Sequence, residues 1–268
     1  MEYSFFKNKY NDIIKTDNET YYDILSKVLK GDNYKRYTGL FRVSTGEEKL
    51  RSNIGQSLEI KMGNFVEDIT TCYIEEMGYH NLDKNIGLGE DGKMLNADQI
   101  FENEDAVFLI EQKMRDDHDS SKKRGQMENF MKKVNLLHTK YPDKKLNASM
   151  WFMDEGFGKK NYNYYKTEID KINIDNVECS LFYGKSLFTS LFNREDVWNE
   201  FVSYLRKIKE ENKEKTLTIP NFDNSEEITL ALKKYKVEHS SMYDKLKSSK
   251  EEKYVAIREE FFPTRQFD

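Results

Sequence analysis

The pattern of apolar and polar positions divides the chain into helical stretches and short strands. Apolar residues recur at helical spacing over residues 21–30 and from about 57 to 77, and a glycine follows each run. This spacing predicts two helices. Residues 36–53 mix glycine with polar side chains and show no period, so we expect irregular structure between the two helices.

The period changes after residue 78. Residues 94–101 alternate between apolar and polar positions, and residues 106–110 form a continuous apolar run after a short polar turn. Two such segments predict an antiparallel hairpin. Residues 85–93 contain three glycines and are predicted to form turns, whereas residues 148–153 and 177–183 have the apolar composition of buried strands.

Helical spacing returns in the second half of the chain. It predicts a helix from about residue 126 to 139, and another over 187–209 with a break near Asn193. The last 45 or so residues are also helical in pattern. Strands that alternate with long helices indicate the α/β fold class. We expect one domain over residues 1–205, with residues 206–268 as a helical extension packed on it.

Composition favours a folded protein in spite of its dense charge. The 268 residues are 34% charged but include 17 Tyr and 17 Phe, and disordered chains are poor in aromatic residues. The net charge is -5, so no overall positive field indicates a nucleic-acid partner. A DNA-binding interpretation therefore needs a local cluster of cations.

No pattern typical of a membrane, secreted or zinc-binding protein occurs. Apolar stretches are shorter than the roughly 18 residues of a membrane span, and the first residues lack a secretory cleavage signal. The two cysteines are far apart and the four histidines are dispersed, which argues against a disulfide framework and a structural zinc site. We expect a soluble cytoplasmic protein with no membrane partner.

Candidate chemistry lies at the end of the apolar run 106–110, in Glu111-Gln112-Lys113. Side chains alternate along a strand, so Glu111 and Lys113 point to the same face. Asp98, on the preceding strand of the hairpin, is placed to bring a second carboxylate beside them. Two crowded carboxylates repel each other, and hard oxygen ligands without His or Cys favour Mg²⁺ as the ion that relieves this repulsion.

A metal ion at Asp98 and Glu111 would bind a phosphate oxygen and lower the pKa of a bound water molecule. Lys113 would then orient the attacking water and stabilise the pentacovalent phosphorus, and its own pKa is expected to fall in such a site. This combination predicts hydrolysis of a phosphodiester.

The Glu-x-Lys tripeptide alone is not specific. It also occurs in polar or helical surroundings at Glu47/Lys49, Glu59/Lys61, Glu211/Lys213 and Glu251/Lys253. The copy at Glu111 differs because it ends a buried-strand run and follows a strand that carries an aspartate. An ordinary charged strand end remains the alternative interpretation.

The Asp98…Glu111-x-Lys113 arrangement resembles the PD-(D/E)xK nuclease superfamily. The run IEQKMRDDHDSSKKRGQ is similar to the active-site strand and following loop of type II restriction endonucleases, and residues 181–188 are similar to the turn after their last core strand. The resemblance extends from about residue 63 to 192. It implies a central mixed β-sheet flanked by helices, with helical additions at the N- and C-termini.

The resemblance also assigns roles to individual residues. Asp98 and Glu111 would be the metal-binding acids and Lys113 the catalytic lysine, with the backbone carbonyl of Gln112 as a further metal ligand. Glu67, on the helix before the hairpin, matches the position of an additional metal-binding acid. One departure from the pattern is that Ala97 replaces the usual proline before the aspartate, and Asp105 in the turn is the competing acid.

The segment between residues 115 and 126 is predicted to be a DNA-binding loop that leads into a helix. Its cations would neutralise phosphates beside the scissile bond, and Gln126 at the helix start would bind a phosphate or a base edge. Aspartates in the same segment leave a solvated loop of mixed charge as the alternative. The candidate DNA contacts are Arg115, His118, Lys122, Lys123, Arg124 and Gln126.

The leading hypothesis is a Mg²⁺-dependent, sequence-specific endonuclease of double-stranded DNA. Such an enzyme is expected to be a homodimer, because a two-fold protein matches a palindromic site, and to function with a cognate DNA methyltransferase that it does not bind. One alternative is a structure-selective repair or recombination nuclease of the same fold. The other is a non-catalytic α/β binding protein in which Glu-x-Lys is accidental.

Overall fold

In a computed structural model of the chain we describe residues 1–14, 18–154, 156, 158–213 and 220–267. The helices of these residues are α1 Tyr3–Ile13, α2 Asn18–Leu29, α3 Lys35–Thr38, α4 Gly46–Glu76, α5 Ser120–Lys140, α6 Tyr162–Asp170, α7 Ser186–Ser190, α8 Glu195–Glu211, α9 Glu226–Glu238, α10 Ser240–Ser248 and α11 Glu252–Phe261. The strands are β1 His80–Asn81, β2 Asn85–Leu88, β3 Met94–Asn96, β4 Gln99–Glu102, β5 Ala106–Lys113, β6 Lys145–Phe152 and β7 Val177–Tyr183.

Five strands form a central mixed sheet in the order β1-β4-β5-β6-β7. Strands β4 and β5 are the predicted antiparallel hairpin, whereas β5, β6 and β7 run parallel. The predicted α/β class with a mixed sheet flanked by helices is thus confirmed. The predicted strand over residues 94–101 is instead divided, because β3 pairs with β2 in a separate two-stranded sheet and only β4 joins the central one. Residues 85–88 were expected to be turns and form β2.

The two faces of the central sheet are covered by different side chains. On one face, alternate residues of β4, β5 and β6 pack with apolar residues of α5 and α6, including Phe130 and Tyr165. On the other face, aromatic rings pack against one another in stacked and edge-to-face pairs. Phe101 and Phe108 form a stacked pair whose ring centroids are 5.0 Å apart. Trp151 of β6 also packs there, against Phe188 of α7. Both faces of β5 are therefore covered along most of its length, and Lys113 at its end keeps a side chain that is 25% exposed.

Contacts along the chain group into two compact units. Unit 1 consists of Met1–Tyr10 and Gly63–Glu211, and unit 2 of Asn11–Met62 and Asn212–Asp268. This division differs from the expected one, because residues 11–62 group with the C-terminal helices and not with the sheet. Every site residue predicted from the sequence lies in unit 1.

Unit 2 is helical in its described residues. Its core consists of buried apolar side chains that lie mainly on α2, α3, α9, α10 and α11, with Leu50 of α4 and Phe222 in the segment before α9. Two carbonyl groups at the end of α10, those of Leu246 in its last turn and of Ser249 just after it, accept hydrogen bonds of 2.8 and 2.7 Å from the guanidinium of Arg258. The irregular structure expected for residues 36–53 is only partly present, since α3 and the first two turns of α4 lie in this range.

Other predictions from the sequence have clear outcomes. The break near Asn193 is confirmed, because Asn193 separates α7 from α8 and has a positive φ of 53°. Cys72 and Cys179 are both free thiols, as expected. Among the described helices, none has the length and apolar character that crossing a membrane would require.

Candidate active site

The end of strand β5 brings together the three residues that the sequence predicted to be catalytic. Gln99 of β4 pairs with Ile110 of β5, so Asp98, one residue before β4, lies opposite Glu111. The ammonium nitrogen Nζ of Lys113 is 2.8 Å from Asp98 Oδ2 and 2.8 Å from Glu111 Oε1. The predicted placement of two carboxylates beside this lysine is present in the structure.

The backbone of Gln112 completes this arrangement. Its N–H donates a 2.8 Å hydrogen bond to Asp98 Oδ2, and its carbonyl oxygen accepts a 2.9 Å hydrogen bond from Lys113 Nζ. Three oxygens therefore surround one nitrogen: Asp98 Oδ2, Glu111 Oε1 and the carbonyl oxygen of Gln112. We call this set the oxygen triad. Two carboxylates and a carbonyl are hard donors of the kind that Mg²⁺ prefers, so the donor set fits the predicted ion.

The two carboxylates beside Lys113 decide the direction of its pKa shift. Burial opposes the charge of the ammonium group, but the carboxylates of Glu111 and Asp98 outweigh this effect and raise its pKa above the ordinary value. The fall in pKa that we expect beside a bound metal ion stays a prediction. In the metal-free site, Lys113 is protonated and acts as the counter-ion of both carboxylates.

A second lysine contacts Glu111 and was not predicted. Lys133 of α5 forms an ion pair with Glu111 Oε2, and the two side chains are only 4% and 5% exposed. We call the group formed by Asp98, Glu111, Lys113 and Lys133 the charged face. The signal in the sequence was a lysine within the apolar stripe of the predicted helix, between Phe130 and Leu137. On the assumption that lysines lie on the solvated face of a helix, Lys133 was not singled out from the sequence.

The opposite face of the same strand end carries neutral groups, which we call the amide face: Thr71, Gln99 and Gln112. Gln99 is 1% exposed and accepts a 2.8 Å hydrogen bond from the hydroxyl of Thr71 on α4. Its side-chain amide donates to the backbone carbonyl of Glu67, 2.8 Å away, and to Gln112 Oε1 at 3.4 Å. These bonds attach the strand end to α4.

Glu67 lies on α4 as predicted, but its carboxylate has a different partner from the one expected. Glu67 Oε1 is 2.6 Å from Nζ of Lys84. In the part of the chain that the structure describes, no group of three or more His, Cys, Asp or Glu side chains is placed to hold one metal ion. The structure therefore brings Asp98 and Glu111 together without Glu67, and the metal-binding role of Glu67 stays a prediction.

The segment after β5 is shorter than predicted, because α5 begins at Ser120 and not near Gln126. Asp119 caps this helix, since its side chain accepts hydrogen bonds of 2.9 Å from the backbone N–H groups of Ser121 and Lys122. These same bonds lower the pKa of Asp119. The predicted loop 115–126 is thus mostly the first two turns of a helix.

Four of the predicted DNA contacts keep accessible positions. Lys122 and Arg124 are exposed in the first turns of α5, whereas Arg115 and Lys123 are half-buried. Nζ of Lys123 lies 4.7 Å from the ring centroid of Tyr164, a cation–π contact. Three of these cations therefore lie in the first turns of α5 and Arg115 precedes the helix, and their role in DNA binding stays a prediction.

The other two predicted DNA contacts are Gln126, which is hydrogen-bonded within the protein, and His118, which is buried. Gln126 lies in the second turn of α5, not at its start, and its Oε1 accepts a 2.7 Å hydrogen bond from the hydroxyl of Tyr165. His118 is 9% exposed, and its Nε2 has no hydrogen-bond partner among the described residues. Burial lowers its pKa, which favours the neutral ring. A buried neutral ring does not support the predicted contact of His118 with DNA.

A buried carboxylate that the sequence did not single out holds this segment in place. Asp116 is 1% exposed and accepts 2.9 Å hydrogen bonds from both the backbone N–H and the side-chain amide of Asn161. The hydroxyl of Tyr183 on β7 donates a further bond of 2.8 Å to Asp116, and burial and this bond raise the pKa of Tyr183. Asp116 therefore connects the end of β5 to the end of β7.

One family comparison matches the segment that contains this site. Residues 82–209, just under half of the chain, match the model of a family described as type II restriction endonuclease, HinfI. Neither the comparison with curated proteins nor the comparison with solved structures found a match. The matched segment includes the charged face and α5, and it is similar to a nuclease family.

Proposed function

We propose that this protein is a type II restriction endonuclease of the PD-(D/E)xK superfamily, which hydrolyses phosphodiester bonds of double-stranded DNA at a specific sequence and requires Mg²⁺. The observation that carries the proposal is the oxygen triad at the end of β5, held around Lys113. It lies within the segment that matches the family of restriction endonucleases. Neither observation alone would select this activity from the α/β fold.

Asp98, Glu111 and the carbonyl oxygen of Gln112 would hold the metal ion. When bound, Mg²⁺ would neutralise the charge that develops on the phosphate and lower the pKa of a water molecule. The N–H of Gln112 fixes Asp98 Oδ2 before any ligand arrives, so the donor set is preorganised. Lys113 is 25% exposed and can move from the triad to contact the phosphate and orient the attacking water.

The cations at the start of α5 would bind the DNA backbone. Lys122 and Arg124 are exposed there, and the half-buried Lys123 and Arg115 lie in the same segment. Because the whole chain carries a net charge of -5, we expect binding that weakens steeply with salt and depends on this local cluster. A homodimer would place two such sites on a palindromic sequence, and a cognate methyltransferase would protect host DNA.

A cleavage assay tests the proposal. Unmethylated plasmid and phage DNA are incubated with the protein and Mg²⁺, with EDTA in place of Mg²⁺, and with the variant Lys113→Ala. Lys145→Ala is the matched control, because Lys145 is an exposed lysine at the opposite end of the same sheet, paired with Glu178. We expect discrete fragments with wild type and Lys145→Ala only.

The other outcomes separate the alternatives. A smear instead of discrete bands would indicate a nuclease without sequence specificity, as a repair enzyme would be. Intact DNA under every condition would contradict a nuclease function. Cleavage that survives Lys113→Ala would remove Lys113 from the mechanism.

A further inference from the structure

Lys133 gives Glu111 an unusual environment, because its ammonium group is buried within an apolar helix face. Its neighbours on the same stripe of α5 are Phe130, Val134 and Leu137, which are all fully buried. A charge is costly at such a position unless it is paired. Glu111 Oε2 is the partner that the structure provides. The ion pair between Lys133 and this oxygen is therefore set by the packing of α5 against β5.

The two oxygens of Glu111 are therefore not equivalent. Oε1 faces Lys113, whose side chain is 25% exposed and can exchange with a cation from solvent. Oε2 faces Lys133, which is 4% exposed and lies among the buried apolar residues of α5. Only one oxygen of this carboxylate is available to an incoming ion.

We propose that Lys133 is a positioning residue that occupies Glu111 Oε2 and so limits the site to a single divalent cation, bound at the oxygen triad. A second cation that shares Glu111 would need Oε2 and would lie beside the fixed positive charge of Lys133. This inference rests on the proposed function for its biological meaning, since it specifies the metal content of the same site.

The metal content can be measured without cleavage. Mn²⁺ is titrated into the full-length protein, and the free ion is followed by electron paramagnetic resonance. We expect one bound Mn²⁺ in wild type and none in Glu111→Gln at the same concentrations. Two bound ions in wild type, or none, would overturn the inference.

Variants of Lys133 test its role directly. Lys133→Ala and Lys133→Met free Oε2, and we expect the bound Mn²⁺ to rise from one to two in each variant that remains folded by circular dichroism. Lys132→Ala is the matched control, because it removes the same charge from the adjacent, exposed residue of α5, and it should bind one ion. Lys133→Arg keeps the charge and should also bind one.

A folded Lys133→Ala or Lys133→Met protein with one Mn²⁺ would show that Lys133 does not limit the site. If both variants unfold, the number of Mn²⁺ ions bound by the wild type still tests whether the site holds a single cation. The cleavage assay remains separate: a wild type that cuts DNA but binds two Mn²⁺ contradicts this inference alone. A wild type that binds one Mn²⁺ but cuts no DNA contradicts the proposed function alone.

Discussion

On the charged face of β5, Lys113 Nζ lies 2.8 Å from each of two carboxylates, whereas the amide face of the same strand end is held only by neutral hydrogen bonds. The charged face is partly open to solvent at Asp98 and Lys113, and the amide face is closed against α4. The strand end therefore has one face with groups able to bind ligand and one that fixes its position.

The charged face is electrically balanced before any ligand binds, since two carboxylates meet two ammonium groups. A divalent cation would add two positive charges that the protein does not neutralise. The single negative charge of a phosphodiester would offset part of this excess, so a bound cation would favour a phosphate group at the site. A local excess of positive charge of this kind would attract a DNA substrate although the whole chain carries a net charge of -5.

The largest effect is expected for Glu111→Gln, because it leaves Lys133 buried without its charged partner. Removing one member of a buried ion pair typically costs about 3–5 kcal/mol of the free energy of unfolding. Urea denaturation followed by tryptophan fluorescence measures this cost. Glu178→Gln, in an exposed pair with Lys145, is the control and should cost about 1 kcal/mol or less. A loss below about 1 kcal/mol in Glu111→Gln would show that Lys133 finds another partner.

Asp98→Asn should separate chemistry from folding. Asp98 is 23% exposed, so the loss of its charge should change the free energy of unfolding by about 1 kcal/mol or less. The rate of DNA cleavage should nevertheless fall about 100-fold or more, because one preorganised electrostatic partner is removed.

The control for Asp98→Asn is Asp91→Asn, another aspartate paired with a lysine, at 2.9 Å from Lys132 on the surface. We expect it to cut DNA at the wild-type rate in a single-turnover assay. Equal rates for the two variants would exclude Asp98 from the active site.

A substitution on the amide face should lower the free energy of unfolding more than it lowers the rate of DNA cleavage. Gln99→Leu removes two hydrogen bonds, those of Gln99 with the hydroxyl of Thr71 and with the carbonyl of Glu67, at a cost of about 1–3 kcal/mol in the free energy of unfolding. The hydroxyl of Thr71 and the carbonyl of Glu67 still pair with each other at 3.0 Å. Cleavage by the folded protein should change less than about tenfold, which corresponds to about 1.4 kcal/mol. Gln56→Leu, at an exposed position of α4, is the control for stability. A loss of activity as large as that of Asp98→Asn would mean that the two faces do not differ in role.

The sequence predicted the charged face better than its surroundings, for a physical reason. Alternation along β5 places Glu111 and Lys113 on one face, and a hairpin turn determines which residue of β4 lies opposite. Both rules are local. The ion pair of Lys133 joins residues 22 positions apart through tertiary packing, which no local period encodes.

Other differences have equally specific causes. The early start of α5 depends on the cap by Asp119, which in the sequence is one of several aspartates in a charged segment. Strand β2 contains Gly87 at a φ of 123°, within a bulged pairing with β3, and glycines of this kind are also typical of turns. The grouping of residues 11–62 with the C-terminal helices depends on contacts between distant parts of the chain, such as those of α2 with α9.

The smallest effect is expected where α5 covers the charged face, at the hydrogen bond from Tyr165 to Gln126. Tyr165→Phe removes one buried hydroxyl, and the free energy of unfolding should fall by about 1 kcal/mol. The control is Tyr162→Phe, because Tyr162 lies at a partly exposed position of α6, the helix that also carries Tyr165. Because Gln126 is already bound within the protein, we expect both variants to cut DNA at the wild-type rate. A tenfold slower Tyr165→Phe enzyme with unchanged stability would instead show that Tyr165 orients Gln126 toward DNA. That result would support the DNA contact that the sequence predicts for Gln126.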